Sequence, residues 1–318
     1  MSDANPSRLG QDGLTGATDA LFLKVFSGEV MATFNANTVM KEKVRVRNIN
    51  NGKSAQFPAI GKTVAEYHTA GAEILGNKIE HGEKVITIDD LLISNTFIAN
   101  IDEAKNHYDV RSEYSKQMGQ ALAQTYDRNL FSMAVKATRD ASGIGKGVAD
   151  QGDASSEAIG ATPTTTQIVT AIYDAAATLD ERNVPETDRY VFVSPSMYYA
   201  LVQEDKLINR DFGANGSYSD GTVMKVAGMT IIKTNNLVQD HTAATATFPD
   251  FNNKYAVDAS DCAALILQRQ AMGTVELKGM ATEMEYDIRR QGTLAVSKMA
   301  VGHGILRPEC LIGLQAAA

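Results

Sequence analysis

The sequence predicts an α+β fold, and three observations carry that prediction. Short β-type runs hinged by glycines occupy Asn50 to Asp90, and one long uninterrupted helical pattern covers Asp102 to Ala137. A late pair of alternating segments, Thr282–Arg289 and Thr293–Val301, follows a region of mixed helix and strand patterns. At 318 residues, with 44% hydrophobic and 21% charged side chains, the chain can bury a sizeable core over roughly two domains. No run approaches the roughly 18 consecutive apolar residues of a membrane span. The net charge of -8 argues against a surface that clamps nucleic acid all over, which leaves room for a local basic strip.

Met1 to Gly10 is polar and lacks the basic-then-apolar pattern of a secretory signal, so cytoplasmic synthesis is expected. Within Asp19 to Asn35, Leu21, Phe22, Val25, Phe26, Val30, Met31 and Phe34 recur at helical spacing, with Thr18 or Asp19 placed to cap the start. Lys41 to Asn48 alternates Lys41, Lys43, Arg45 and Arg47 with Glu42, Val44 and Val46, which predicts a strand with one basic face. Ser54–Ile60, Thr63–Thr69 and Lys84–Ile88 read as further short strands in an excursion too poor in large apolar side chains to form its own core. The long helix is expected to start at a capping pair, Asn100 and Glu103, to be weakened slightly by Gly119, and to stop before Gly143, Gly145 and Gly147. Its length is more than a compact domain needs and suggests a strut.

Val148 to Pro163 reads as an exposed loop and the best place for a domain boundary. Beyond it Thr164–Arg182 and Ser196–Gln203 predict helices, Arg189–Val193 and Thr230–Lys233 strands, and Cys262–Leu267 a buried strand, with a polar, glycine-rich loop over Asp211–Gly221. In Thr282–Arg289 the alternation places Met284, Tyr286 and Ile288 on one face and Glu283, Glu285 and Asp287 on the other.

Chemistry-bearing motifs are incomplete. Gly52-Lys53-Ser54 and Gly61-Lys62-Thr63 carry the second half of a phosphate loop, but Arg47 and Gln56 stand where its leading glycine must be, and Lys146 is followed by Gly147, which has no hydroxyl for a metal. His68, His81, His107, His241 and His303 are scattered without zinc spacing. Cys262 and Cys310 have neither paired spacing nor a nucleophile signature and are expected in the core. The sequence therefore gives no catalytic, cofactor-binding or metal residue.

Three runs carry a resemblance: Ala20-Leu-Phe-Leu-Lys-Val-Phe-Ser-Gly-Glu-Val30, Asp102-Glu-Ala-Lys-Asn-His-Tyr-Asp-Val-Arg111, and Arg289-Arg-Gln-Gly-Thr-Leu294 continued by Gly302-His-Gly-Ile-Leu-Arg-Pro308. Together they resemble the major capsid proteins of short-tailed, podovirus-type bacteriophages, over nearly the whole chain. The resemblance implies the Hong Kong 97 phage capsid fold: an N-terminal arm (1–40), an extended β loop (41–95), a peripheral domain with a spine helix (96–150 and 273–318) and an axial domain (151–272). It also implies self-assembly into hexamers and pentamers of an icosahedral shell in the virion, enclosing double-stranded DNA without sequence-specific binding. Assembly in the host bacterial cytoplasm with a scaffolding protein and a portal, no membrane, no cofactor and no enzymatic activity complete what it implies.

The charge patterns add candidate subunit contacts, in which Lys43, Arg45 and Arg47 pair with Glu283, Glu285 and Asp287 within or between copies. The simpler alternative is that both sets are solvated strand faces, where exposed ion pairs contribute about 0 to 1 kcal/mol each. Rival readings of the whole chain are an encapsulin-type compartment enclosing protein cargo, a tail-tube or other virion protein, and a soluble α/β enzyme built on Thr164–Ala271, whose only glycine-rich loop is Asp211–Gly221.

Overall fold

The computed structural model describes residues 20–71, 73–99, 111–139, 152–159, 164–203, 225–237 and 254–316. In chain order these form α1 (Ala20–Asn37), a 3-10 turn (Lys41–Lys43), β1 (Arg45–Asn48), β2 (Ser54–Ile60), β3 (His81–Thr87), β4 (Leu92–Ala99) and α2 (Arg111–Arg139). There follow β5 (Ser155–Ala158), α3 (Thr165–Glu181), β6 (Arg189–Val193), α4 (Pro195–Val202), β7 (Lys225–Val226) and β8 (Met229–Lys233). The last elements are β9 (Cys262–Gln268), β10 (Met272–Asp287), β11 (Gly292–Ile305) and β12 (Leu311–Gln315). Helices and sheets are mixed, as the α+β prediction has it.

The chain divides into two compact units. One draws on Met1–Thr38, Asp89–Tyr126 and Glu276–Val301, the other on Val39–Ile88, Asp127–Val275 and Gly302–Ala318, so α2, β10 and β11 each run from one into the other.

In the first unit α1 lies on the first half of α2. Phe26 and Val30 pack with Met118 and Ala295, and Met280 and Met284 close the cluster. Phe34 meets Tyr126 edge to face at 5.8 Å. The approach depends on Gly119, because a Cβ there would lie 2.6 Å from the Val30 carbonyl oxygen and 3.0 Å from Thr33 Cβ. The slight cost a glycine carries within a helix comes with a role in packing: a small residue here is what lets α1 sit this close. Gly119→Val is expected to cost about 2–3 kcal/mol of stability through overpacking. Denaturant unfolding of the unassembled chain checks it, and an unchanged midpoint would rule the close crossing out. In the same unit β4 pairs antiparallel with β11, from Gly292 opposite Ala99 to Met299 opposite Leu92, and β10 flanks β11 on its other side. Thr282 and Ser297, both buried, share a hydroxyl hydrogen bond of 3.0 Å between β10 and β11.

The second unit holds a six-stranded sheet in the order β5-β12-β9-β6-β8-β7. Strand β6 pairs parallel with β8 and antiparallel with β9, and β12 joins β9 antiparallel and β5 parallel. Every residue of β9 is buried, as its continuous apolar run predicts. The second half of α2 packs here, with Phe131 against Phe192 edge to face at 5.2 Å. Helix α3 begins in a capping box formed by Thr164 and Gln167. Ala227 and Gly228 both take positive φ, 49° and 74°, in the tight turn from β7 to β8.

Several expectations are corrected. Lys41–Lys43 forms a 3-10 turn and only Arg45–Asn48 is strand, so the four-cation strand face does not exist. Thr63–Thr69 carries no strand. Ser155–Ala158, within the stretch read as an exposed loop, pairs with β12 and is half-buried at alternate positions. Strands β4 and β12 were not anticipated. The Thr18 or Asp19 cap, the Asn100 and Glu103 cap, helix residues 102–110, Gly143, Gly145 and Gly147, His107, His241 and the Asp211–Gly221 loop lie outside the described residues.

Candidate assembly interface

The hairpin of β2 and β3 pairs Ser54 with Thr87 through Ile60 with His81. Beyond the last strand residue the pairing continues for one step, the Gly61 N–H donating to the Glu80 carbonyl at 2.8 Å, and further out the Asn77 side-chain amide donates to the Val64 carbonyl at 3.3 Å. Residues 61–71 and 73–80 are thus the limbs of a narrow finger that run side by side, with a turn at Ala70 and Gly71, where Gly71 takes a φ of 90°. Among the described residues almost nothing covers it. Ile60, Val64, Tyr67, Ile74 and Leu75 are 63%, 70%, 105%, 77% and 86% exposed, which is costly apolar surface for a free chain to leave in water.

At the base of the hairpin the pleat sends Ala55, Phe57 and Ala59 inward from β2, and Ala55 and Phe57 pack with Ile86, Val275 and Leu306. Lys84 faces Phe57 across the ladder and shares the inward side of β3 with Ile86, so a lysine stands on a face otherwise apolar or glycine. Burial pulls its ammonium pKa below the usual lysine range. Lys84 lines two cavities, one of 280 Å³ shared with Arg45, Lys62, Arg307 and Glu309, and one of 260 Å³ shared with Lys136, Lys254 and His303. Glu309 is buried and already engaged: Arg307 donates to it, and Lys62 lies 3.9 Å away.

The candidate contact residues find partners close by in the chain. Lys43 sits 4.0 Å from Glu42 and over the Tyr190 ring at 4.8 Å. Arg47 donates to the Gln56 carbonyl and stacks over Phe57 at 5.6 Å. Glu283 pairs with Lys298 at 2.6 Å, and Asp287 accepts from the Arg289 N–H at 2.8 Å inside the hairpin turn. Arg45 lines the first Lys84 cavity, while Glu285 lines another at the tip of β10 with Tyr286, Ile288 and Arg290. Lys84 was missed, although alternation within Lys84–Ile88 already placed it on one face with Ile86 and so carried the signal.

Buried ionisable groups are structural. Asp127 accepts from the Val39 and Met40 N–H groups at 2.8 and 3.1 Å and so pins the turn before the 3-10 segment; burial, the largest influence, pushes its carboxyl up to about 6 against those hydrogen bonds. His303 Nδ1 lies 3.0 Å from the Thr274 hydroxyl, and burial, aided by Lys254, pushes the imidazole down to about 3. Cys262 and Cys310 are buried, their thiols pushed up by burial to about 12 and 11, which keeps them unreactive. Among the described residues no group of three or more His, Cys, Asp or Glu side chains could hold a metal ion. No described helix is long and apolar enough to cross a membrane.

Comparison with known proteins gives this geometry a context. The Gp10A-like family, described as major capsid protein, matches residues 56–315. The major capsid protein of Escherichia phage T7 is 33% identical over 93% of this chain and 92% of its own length. That of Enterobacteria phage T3 is 32% identical over 91% of this chain and 90% of its own. Among solved structures, the capsid of the cyanophage P-SCSP1u superposes with a TM-score of 0.76 at 41% identity, covering 99% of both chains. The family match takes in the finger, Lys84 and the six-stranded sheet, and the chain belongs to the Gp10A-like major capsid protein family, whose members form the capsid shell of tailed phages.

Proposed function

We propose that copies of this chain join as hexamers and pentamers of an icosahedral shell around double-stranded DNA, built on the Hong Kong 97 fold. In this reading 1–40 form the arm, 41–95 the extended loop, 96–150 and 273–318 the peripheral domain, and 151–272 the axial domain. Assembly takes place in the host bacterial cytoplasm with a scaffolding protein and a portal, and the chain has no enzymatic role. The observation that carries it is the finger, whose exposed apolar side chains have little cover among the described residues and gain one when a neighbouring copy docks. Charge pairing between the Lys43, Arg45, Arg47 set and the Glu283, Glu285, Asp287 set belongs to contacts between copies, with Arg45 and Glu285 the members available for it.

Replacing Tyr67, Ile74 and Leu75 together by serine is expected to leave the unassembled chain's stability within about 0.5 kcal/mol, because exposed sites contribute little to folding. It is expected to abolish closed shells in negative-stain electron microscopy. Normal shells from the triple variant would overturn the role of the finger.

A further inference from the structure

The bend between β1 and β2 holds an asparagine that the fold leaves unrestrained. Residues 50–53 are exposed, while both ends of the bend are fixed. Ile49 packs against the cluster of Ala55, Phe57, Ile86, Val275 and Leu306, and the Lys53 carbonyl accepts from the Ile88 N–H at 2.9 Å. Among the described residues no hydrogen bond engages the Asn51 amide or the Gly52 N–H. Gly52 takes a φ of 117°, and the nearest atom to a Cβ placed on it is the Ser54 carbonyl oxygen at 3.8 Å. The Gly52 nitrogen can therefore approach Asn51 Cγ with no side chain on its own residue to shield it. The other described asparagines lack this combination. Asn95 is held in the ladder opposite Val296, the Asn77 amide donates to the Val64 carbonyl, and none of them precedes a glycine.

We infer that Asn51–Gly52 is a self-modifying site, at which the chain converts Asn51 to aspartate and isoaspartate with water as the only co-reactant. Hydroxide removes the Gly52 amide proton, the nitrogen attacks Asn51 Cγ, and the new C–N bond closes a five-membered succinimide as ammonia leaves. Water then opens the ring at either carbonyl. Attack at the side-chain carbonyl gives an ordinary aspartate, and attack at the backbone carbonyl routes the chain through the side chain as isoaspartate. Ring closure needs rotation about both χ1 and ψ of Asn51, which a helix or a ladder resists and an exposed bend allows. The product has one more negative charge, in a bend that carries Lys53, and the isoaspartate form has one more backbone atom between Ile49 and Lys53. Both of those residues are anchored, so the added length strains the root of the hairpin that carries the finger.

The test uses the unassembled full-length chain and so stands apart from the shell-forming reading. Wild type, Asn51→Gln and Gly52→Ala are held at pH 8.5 and at pH 6, then digested briefly, and the tryptic peptide spanning 48–53 is weighed and fragmented beside the same peptide made free. Isoaspartyl methyltransferase labelling counts isoaspartate, and peptide mapping keeps Asn215–Gly216, outside the described residues, from adding to the signal. In the native chain Asn51 is expected to gain one dalton, faster at the higher pH, at a rate within about threefold of the free peptide's. Isoaspartate is expected to be the larger product, with Asn50 and Asn77 unchanged. Asn51→Gln, whose ring would need six members, is expected to stay unmarked. In Gly52→Ala a methyl group shields the nitrogen, and conversion is expected to slow about tenfold; melts of fresh samples confirm that each variant is folded. A native chain that keeps Asn51 while the free peptide converts would overturn the site, as would equal conversion at Asn50 or an undiminished rate in Gly52→Ala. Aged wild type is also expected to melt below aged Asn51→Gln, and coincident melts at full conversion would overturn the strain at the hairpin root.

Discussion

Valine at position 302 is expected to keep the chain from reaching its native fold. A Cβ on Gly302 would lie 2.2 Å from the Thr87 carbonyl oxygen, 2.8 Å from Ile88 Cα and 2.9 Å from the Thr87 carbonyl carbon. All three are backbone atoms, so no change of rotamer can make room, and the ends of β3 and β11 must separate. That separation would open the cluster of Ala55, Phe57, Ile86, Val275 and Leu306 at the root of the hairpin. The loss is expected to be about 3 kcal/mol or more, the upper range for overpacking. Gly304 is the control: its Cβ would meet Ile86 Cγ1 at 2.6 Å, a side-chain contact that rotation relieves in part. Soluble yield and denaturant midpoints should rank wild type above Gly304→Ala and Gly304→Ala well above Gly302→Val. A reversed ranking would show that β11 does not pass this close to the hairpin.

The second large effect is a response to acid that two buried groups keep in balance. His303 has a folded pKa of about 3, below its ordinary value near 6.5, so the fold favours the neutral ring. Its contribution is present above about pH 6.5 and is lost as the pH falls toward 3, at up to about 1.4 kcal/mol per pH unit. Asp127 works in the opposite sense. With a folded pKa of about 6 against an ordinary 3.8, its contribution is complete below the ordinary value and is lost as the pH rises through 6. Between about pH 6 and 4 the two slopes cancel, and the wild-type contribution from this pair is nearly flat. Removing either group exposes the other. From pH 6 to 4.5, His303→Gln is expected to gain about 1–2 kcal/mol relative to wild type and Asp127→Asn to lose about as much. Urea unfolding at pH 6.0, 5.2 and 4.5 reads both, and variants that slope in the same direction would refute the balance.

How far the sequence could be read depended on whether burial and pattern agreed. Elements α2, α3, β6, β9 and the β10–β11 pair were legible because their apolar residues fall on one face or fill a buried run. Strand β4 was not, and its burial explains why: Ser94 and Thr96 face inward while Ile93 and Phe97 are 49% and 42% exposed, so alternation gives an inverted signal. Phe97 lies over Gly292, where a Cβ would come within 2.4 Å of the ring, an association no local pattern reports. Strand β5, Ser155-Ser-Glu-Ala158, is polar because it is an edge, and only its parallel partner β12, far along the chain, makes it a strand. At the interface the basic pattern of Arg45 and Arg47 was legible, but Lys43 falls in a 3-10 turn. Lys84 gained its meaning from cavities that residues more than a hundred positions away complete.

The finger of residues 61–80 also bears on solubility. A free subunit must be made at the concentrations shell formation requires, and two extended limbs with exposed apolar side chains invite other fingers to stack on them. The sequence guards against this at close intervals. Lys62, Glu66, Glu73, Lys78 and Glu80 interrupt the finger with charge, and the longest uncharged stretches, Tyr67–Ala72 and Ile74–Asn77, each contain a glycine, Gly71 and Gly76, at positive φ. No stretch reaches the six or seven glycine-poor, uncharged residues from which cross-β stacks grow. The same surface can therefore be sticky to a shaped neighbour and poor at joining its own kind edge to edge, which lets a chain this exposed stay in solution until the shell takes it up.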